Sequence, residues 1–411
     1  MAGTQVDNRV PLWLDCDPGH DDAFAILLSA HHPSLNLLGI STVHGNTSLE
    51  NTVTNAGSIL EAIGRSDIPV HPGSKKPFCR PVVHASNIHG ASGIDGTDLL
   101  PLATKPPVTE PNAIVAMRNA LLAQPKDTAW VVATGTLTNL GLLFATFPEV
   151  AEHVRGVSIM GGAIGGGFTD APMSGNPDEA DRVGNTTHWA EFNIYVISHI
   201  PTYPLIHLPE PQLTPDEPTH QCDPEAAHSI FSSPILAPKT TLIPLDVTHQ
   251  VLGSKAIQSL ILHGEAGIQT ADGPPPTVLR QILHDLLIFF ASTYNETFGL
   301  ESGPPLHDPV AVAVLLSNLN GRGEVEIKGN RDLVSFDDNG GERFVVSVVT
   351  DGAHSRDPAI CREVGRTVAQ PVEKGSGVGG VTIPRGLDVE RFWGLIADCI
   401  KRADALNMLR N

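Results

Sequence analysis

The sequence predicts an α/β fold, a single domain with a mostly parallel central sheet flanked by helices. Short apolar strands alternate with helical segments in the N-terminal half, and this order favours parallel pairing with right-handed crossovers. The chain has 411 residues, enough for one large α/β domain or two smaller ones, and at 41% hydrophobic it can bury a sizeable core. Ligands bind at the carboxyl ends of the strands in such sheets. We therefore expect functional residues directly after the strands, within one domain spanning residues 10–409.

Apolar runs that end in turn-forming residues predict the strands. They cover residues 10–14, 35–43, 68–70, 129–133, 157–160 and 241–244. Near the C-terminus, the sequence Asp-Asp-Asn-Gly-Gly at 337–341 contains the Asn-Gly pair that is typical of tight hairpin turns. It predicts a β-hairpin over residues 325–350.

Longer segments with apolar residues three and four positions apart predict the helices. They cover residues 51–64, 111–124, 276–298, 310–316 and 387–409, and a further helix starts near residue 23. Asp21 or Asp22 stands where a carboxylate can cap that first helix, and Asp308 precedes Pro309 as an N-cap residue would. Capping therefore offers a purely structural explanation for these acids.

Composition limits the classes of function. The formal net charge of −19 argues against a nucleic-acid partner, but not against uncharged nucleosides. The five cysteines are scattered without a Cys-x-x-Cys pair, which favours a reducing compartment and argues against a zinc site. We expect no membrane partner, because a run of about 18 apolar residues is missing. The polar residues 1–9 favour a cytoplasmic location.

Four carboxylates fall within eight residues where the first strand turns into the first helix: Asp15, Asp17, Asp21 and Asp22. Capping accounts for one or two of them, and repulsion between four would raise their pKa values and cost stability. Either this is a solvated acidic turn, or a hard cation such as Ca²⁺ or Mg²⁺ binds there. The apolar sequence on both sides favours a cation.

Two familiar acidic motifs fit this stretch poorly. An EF-hand loop starting at Asp15 needs Gly at its sixth position and Glu at its twelfth, where this chain has His20 and Ile26. A phosphatase loop of the Asp-x-Asp-x-Thr type needs Thr where Gly19 stands. A phosphatase with Asp15 or Asp17 as nucleophile stays open as a minor alternative.

The whole stretch at 15–23, Asp-x-Asp-Pro-Gly-x-Asp-Asp-Ala, resembles the inosine–uridine-preferring nucleoside hydrolase family. Further motifs of that family follow in the expected order, among them Ile-His-Gly at 88–90 and His-Asp-Pro at 307–309. The resemblance extends from Leu12 to about Leu406. It implies the family's open Rossmann-like fold, a bound Ca²⁺, and hydrolysis of the N-glycosidic bond of ribonucleosides to ribose and free base.

The resemblance also implies how the metal is held. Asp17, Asp22, Asp308 and the carbonyl of Thr134 would bind Ca²⁺, and a Ca²⁺-bound water would be the nucleophile. Asp17 would take the proton of that water as general base, and Asp15 would support the ligands from behind. From the local sequence alone, Thr134 marks only a strand-to-helix turn.

The substrate contacts implied by the resemblance lie on several motifs, and they are Asp21, Asn46, Asn185, Glu191, Asn193 and Asp308. Asp21 would bind the 2′ and 3′ hydroxyls of ribose, with Asn46 and Asn185 nearby. Glu191 and Asn193 would hold the 5′ side, and in extended chain both would point the same way. Locally, Asn46 is equally typical of a turn after glycine.

The leaving base would be protonated or polarised by His307 or His89. A lone loop histidine is otherwise usually exposed, so this role depends on the resemblance. The contexts of Phe168-Thr169-Asp170 and Trp189-Ala190-Glu191 look like fungal uridine nucleosidases and favour uridine, with inosine and cytidine as further candidates. The family also implies a homo-dimer or homo-tetramer.

Residues 196–221 interrupt the family pattern, which continues at Asp223-Pro224. This segment has six prolines and no glycine, lysine or arginine, a composition that excludes a helix or central strand. It begins with Val and ends with Gln, as an unspliced intron read in frame can. Sequencing transcripts across the 195–222 junction tests this hypothesis. If the segment is translated, a nucleoside-binding protein with disabled catalysis is a further alternative.

Overall fold

A six-stranded parallel sheet lies at the centre of the computed structural model, which describes residues 8–80, 86–179, 181–195, 223–264, 275–321, 330–352, 363–373, 375–377 and 379–410. Its strands are β1 (Val10–Cys16), β2 (Leu35–Thr42), β3 (Val70–Pro72), β4 (Trp130–Ala133), β5 (Gly156–Met160) and β6 (Thr240–Ile243). Their order across the sheet is β3-β2-β1-β4-β5-β6, and all neighbouring pairs are parallel. The predicted fold class is confirmed.

The central strand β1 is buried on both faces, as in other parallel sheets that are covered on both sides. Leu12 and Leu14 belong to one hydrophobic core, and Trp13 between them belongs to the other. The indole of Trp13 also donates a hydrogen bond of 2.9 Å to Ser41 Oγ on β2. The acids that follow β1 therefore start inside the protein rather than at its surface.

Helices cover both faces of the sheet. They are α1 (Asp22–His31), α2 (Leu49–Ala62), α3 (Ser86–His89), α4 (Ala113–Leu122), α5 (Thr138–Thr146), α6 (Pro148–His153), α7 (Pro224–Phe231), α8 (Leu245–Thr248), α9 (Lys255–His263), α10 (Val278–Phe298), α11 (Asp308–Ala313) and α12 (Val389–Arg410). Helices α1, α10, α11 and α12 share a core with Leu12, whereas α4, α5 and α7 pack on the side of Trp13. Among the described residues, no helix has the length and apolar character needed to cross a membrane.

The predicted hairpin over 325–350 is wrong in its pairing. The turn exists, with positive φ at Asn339, but its two flanking strands pair elsewhere. Strand β7 (Phe336–Asp337) pairs with β10 (Gly386–Leu387), and β8 (Phe344–Val348) pairs with β9 (Thr367–Pro371). Alternate residues of β8 belong to the core that contains Trp13, so tertiary packing rather than the local turn decides its partner. Residues 325–329 and the predicted insert at 196–221 lie outside the described residues.

The carboxyl ends of β1, β2 and β4 meet at one edge of the sheet. Beyond the strands, Val43 N donates to Cys16 O at 3.0 Å and Thr134 N donates to Asp15 O at 2.8 Å. The segments that start at Asp17, Val43 and Thr134 therefore leave the sheet side by side. This is the edge at which the sequence predicts the functional residues.

Candidate active site

The acidic turn after β1 does not serve to cap helix α1. Asp21 is the N-cap residue, but its side chain makes no capping hydrogen bond. The carboxylate of Asp22 accepts from Gly19 N at 2.9 Å, a group that lies before the helix. Asp17, Asp21 and Asp22 are all buried, so the alternative of a solvated acidic turn is excluded.

Asp308 joins this turn from the other side of the site. It is the first residue of α11 rather than its cap, and the side chain of the N-cap residue His307 makes no capping hydrogen bond. Its carboxylate oxygen lies with those of Asp21 and Asp22, all three within 4.8 Å of one another, and we call these three residues the acidic cluster. Three buried carboxylates at this spacing form a donor set suited to a hard divalent cation.

Burial raises the pKa of every member of the acidic cluster. The pKa of Asp21 rises to about 7 and that of Asp22 to about 6, and that of Asp308 rises well above its usual range. The neighbouring carboxylates add repulsion for Asp21 and Asp308. A cation at the cluster would remove both effects, because it stabilises the ionised carboxylates.

Asp17 lies beside the cluster, although it is not one of the three mutually close carboxylates. Its Oδ2 accepts from Asn46 N at 2.7 Å, and the Asn46 side chain donates to Asp17 O at 3.0 Å and to Asp22 Oδ2 at 3.3 Å. Its Oδ1 is buried and has no hydrogen-bond partner among the described residues. A buried carboxylate oxygen of this kind needs a cation or a donor that the protein does not supply.

Thr134 connects the end of β4 to both sides of the site. Its hydroxyl donates to Asp22 Oδ1 at 2.9 Å, and its carbonyl accepts from Asn193 Nδ2 at 2.9 Å. A carbonyl oxygen has a second lone pair, so this hydrogen bond leaves it able to bind a metal. Thr134 thus lies beside Asp22 of the acidic cluster and also contacts Asn193.

Glu191 and Asn193 lie in a turn, so the prediction of an extended chain here is wrong. Tyr195 N donates to Glu191 O at 2.9 Å, and the Glu191 carboxylate accepts from Asn193 N at 2.9 Å and from Gly162 N at 2.8 Å. These side-chain contacts favour the turn over the strand because they satisfy two backbone N–H groups. Burial raises the pKa of Glu191 to about 7.

Asp15 supports the turn from inside the sheet. Its Oδ1 accepts from the hydroxyl of Ser41 on β2 and from Asn139 Nδ2 on α5, the latter at 2.8 Å. It is fully buried, and burial raises its pKa to about 7. The side chain therefore ties three elements together below the acidic cluster.

Both predicted histidines are buried, so the alternative of exposed histidines is wrong. His307 precedes α11, with Nδ1 2.7 Å from Thr248 Oγ1 and Nε2 2.7 Å from the hydroxyl of Tyr294. Tyr294 also interacts with the side chain of Asn185. His89 is the last residue of α3, and its Nδ1 atom lies 3.1 Å from the Nδ1 atom of His20.

Tyr294 and His20 also lie at the site, although neither was predicted from the sequence as a site residue. Tyr294 looked like a core aromatic of a long helix, and it is indeed buried against Phe290 and Phe298. Its hydroxyl gave no sequence signal, because its partner His307 comes from another element. His20 is placed by the acidic turn itself, and a histidine among four acids is the signal that was available.

Between about pH 6.5 and 8, we expect the chain in a chelator to lose stability as pH rises. In the folded protein the pKa values of Asp15 and Asp21 are about 7, whereas the pKa of an aspartate in the unfolded chain is about 3.9. Their contribution to stability is complete below about 3.9 and is lost as pH rises through 7. The buried histidines, whose folded pKa values are lowered, oppose this trend at the lower end of the window, because an unfolded histidine has a pKa of about 6.5 and is still half protonated there.

Urea unfolding at pH 6.5 and pH 8 measures this effect. Asp15→Asn removes one titrating group at nearly constant shape, so the variant should show a smaller pH slope. The histidines are the same in both proteins, so a pH slope of Asp15→Asn as steep as that of the natural chain would contradict the raised pKa of Asp15.

Comparison with known proteins gives one consistent result. The family model described as inosine-uridine preferring nucleoside hydrolase matches residues 12–196 and 220–394. A uridine nucleosidase of Saccharomyces cerevisiae is 33% identical over 98% of this chain and 99% of its own length. A pyrimidine-specific ribonucleoside hydrolase of Shewanella woodyi is 34% identical over 74% of this chain and 79% of its own.

Solved structures support the fold. A purine-preferring ribonucleoside hydrolase from Gardnerella vaginalis superposes with a TM-score of 0.67 at 24% identity, covering 96% of this chain and 99% of its own. A plant nucleoside hydrolase gives a TM-score of 0.66 at 22% identity, covering 95% and 98%.

Proposed function

Because the chain belongs to the inosine-uridine preferring nucleoside hydrolase family, we propose that it hydrolyses uridine to ribose and uracil with Ca²⁺ at the acidic cluster. It is a ribonucleoside hydrolase, and its substrates are small nucleosides. The calcium proposal rests on the set of buried carboxylates at the sheet edge, where one oxygen of Asp17 has no hydrogen-bond partner in the described part of the chain.

The proposed preference for uridine is based on the relatives whose sequences match most of this chain. The yeast relative is named a uridine nucleosidase, and the bacterial relative is named pyrimidine-specific. The purine-preferring structure from Gardnerella is only 24% identical, so it supports the fold and not a base preference. We expect inosine and cytidine to be poorer substrates than uridine.

The donor set fits calcium. All candidate ligand atoms are oxygens, and Ca²⁺ accepts both carboxylates and backbone carbonyls. We assign Asp17, Asp22, Asp308 and the carbonyl of Thr134 as ligands, with Asp21 of the cluster close enough to share the site. When bound, the ion would orient a water and lower its pKa.

The chain's own residues provide the rest of the reaction. Asp17 accepts the proton of the attacking water, since its Oδ1 is buried and has no hydrogen-bond partner among the described residues. The developing positive charge on the ribose is stabilised by the surrounding carboxylates. Asp15 keeps the turn in place through Ser41 and Asn139.

Sugar recognition is assigned to the polar side chains around the cluster. Asp21 and Asp308 bind the 2′ and 3′ hydroxyls together with Asn46, whose amide is already held by Asp17 and Asp22. Glu191 and Asn193 bind the 5′ side. Asn185, which interacts with Tyr294, is assigned to the ribose next to Asn46.

The leaving base needs a proton or a hydrogen-bond donor. His307 is suited to supply it through the hydroxyl of Tyr294, which lies 2.7 Å from its Nε2, while Thr248 holds Nδ1. His89 is the second candidate. A phosphatase is disfavoured, since the carboxylate of Asp15 is bound by Ser41 and Asn139.

We also propose the extent of the domain, its oligomeric state and its location. A single hydrolase domain spans residues 10–409, interrupted at 196–221, and the family model likewise stops at 196 and resumes at 220. We further propose a homo-dimer or homo-tetramer that acts in the cytoplasm.

The deciding experiment measures ribose released from uridine, inosine and cytidine, with and without a chelator. We expect uridine to be the best substrate and chelation to lower kcat/KM at least about a hundredfold, with recovery on adding Ca²⁺. Ribose release that continues undiminished in the chelator would contradict a role of Ca²⁺ in the reaction. Binding of uridine without release would support the disabled binding protein, and the chain without residues 196–221 should then regain turnover.

A further inference from the structure

His20 and His89 form a buried pair next to the acidic cluster. Their Nδ1 atoms are 3.1 Å apart, and the His20 ring stacks on Phe289 and Phe290 with centroid distances of 5.1 and 5.5 Å. His89 packs against Gly19, where an added Cβ would lie 2.6 Å from its Nδ1. The pair therefore belongs to the wall of the site and not to the distant surface.

The partners of His20 determine where its proton lies. Its Nε2 is 2.7 Å from the carbonyl oxygen of Asp95, which can only accept, so Nε2 carries the hydrogen. The carboxylate of Asp95 accepts from Ala91 N and Ser92 N. A ring buried between phenyl groups is neutral and carries one hydrogen, so Nδ1 of His20 is an acceptor.

The tautomer of His20 determines that of His89. Because Nδ1 of His20 accepts, Nδ1 of His89 must donate across the 3.1 Å contact. His89 is buried and neutral as well, so its Nε2 carries a lone pair and no hydrogen. In the described part of the chain, no group hydrogen-bonds to this Nε2.

We propose that His20 is a positioning residue that fixes His89 in its Nδ1-protonated tautomer, so that Nε2 of His89 accepts a hydrogen bond from the leaving base. This inference rests on the proposed function. Uracil has an N–H at ring position 3, and hypoxanthine has a comparable ring N–H, whereas cytosine has a bare nitrogen at position 3. A histidine acceptor thus favours uridine and inosine over cytidine.

This assignment separates the two histidines of the site. His89 cannot deliver a proton from Nε2 in this tautomer, so it recognises the base and does not act as its acid. Of the two, His307 is then the one left to assist the departing nitrogen, through the hydroxyl of Tyr294 that lies 2.7 Å from its Nε2.

The first test needs no turnover. In protein labelled with ¹⁵N at histidine, long-range ¹H–¹⁵N NMR distinguishes a protonated ring nitrogen from a bare one, and His89→Ala assigns the signal. We expect a bare Nε2 for His89 in the natural chain and a mixture of tautomers in His20→Phe, which keeps the stack but removes the acceptor. A protonated Nε2 in the natural chain, or an unchanged tautomer in His20→Phe, would overturn the proposal.

The second test links the tautomer to recognition. The substrate 3-deazauridine has C–H where uridine has N3–H. We expect the kcat/KM ratio of uridine to 3-deazauridine to fall about tenfold in His89→Ala and similarly in His20→Phe. Differences in leaving-group chemistry cancel, because each variant is compared with the natural chain on the same two substrates.

The control is His228→Phe, a matched change at an exposed histidine on α7, which should keep both ratio and tautomer. Equal ratios in all four proteins would overturn the role in base recognition. If no nucleoside is hydrolysed at all, the proposed function fails, whereas the NMR measurement still decides the tautomer.

Discussion

Replacing Asp17 by alanine is expected to lower kcat/KM for uridine at least about a thousandfold while leaving the fold intact. General base catalysis alone contributes about 10²–10⁴-fold, and Asp17 is also assigned as a metal ligand. The fold should survive because the substitution removes a buried carboxylate whose pKa is raised by burial and by repulsion from Asp22. Removing that charge relieves repulsion in the metal-free chain.

Steady-state kinetics and urea unfolding in a chelator measure the two effects separately. Asp98→Asn removes a carboxylate from the exposed surface, so it should change neither quantity. Activity within about tenfold of the natural chain would contradict Asp17 as the base. A collapse of stability with Asp17→Ala would instead show that its contact with Asn46 N is needed for folding.

The sheet edge was predictable because it depends on local pattern plus a general rule of parallel sheets. Apolar runs fix the strands, and polar residues after β1, β2 and β4 must then meet at one edge. The positions of the acidic turn and Asn46 follow from this argument, whereas the role of Thr134 came only from the family resemblance. The role of Asp308 needed the family resemblance, since its sequence context alone indicates a helix cap.

Other features depend on contacts between distant segments and left little trace in the sequence. The turn at Glu191 forms because its carboxylate accepts from Gly162 N, which belongs to another connection. Strand β8 pairs with β9 rather than across its adjacent turn, because its alternate residues join the core next to α7. The contacts of His307 with Tyr294 and Thr248 likewise join separate elements.

A methyl group at Gly45 is expected to inactivate the enzyme nearly as completely as loss of Asp17. A Cβ at this position would overlap Oδ2 of Asp17, the atom that accepts from Asn46 N, and would also lie 2.7 Å from Asp17 Cγ. The carboxylate is also confined on its other side, because the backbone of Gly135 lies so close that an added Cβ there would be 2.7 Å from Oδ1 of Asp17. Gly45→Ala should therefore displace Asp17 and cost about 1–3 kcal/mol of stability.

The matched control is Gly394→Ala on α12, where an added Cβ meets nothing within 4 Å. It should raise stability by about 0.5–1 kcal/mol and leave kcat/KM unchanged, since alanine is the better helix former. Gly45→Ala with natural activity would contradict the position of Asp17. If instead Gly45→Ala loses activity and Asp17→Ala does not, the glycine supports the site through Asn46 and not through the carboxylate. The two substitutions together thus separate the chemistry of Asp17 from the packing that holds it.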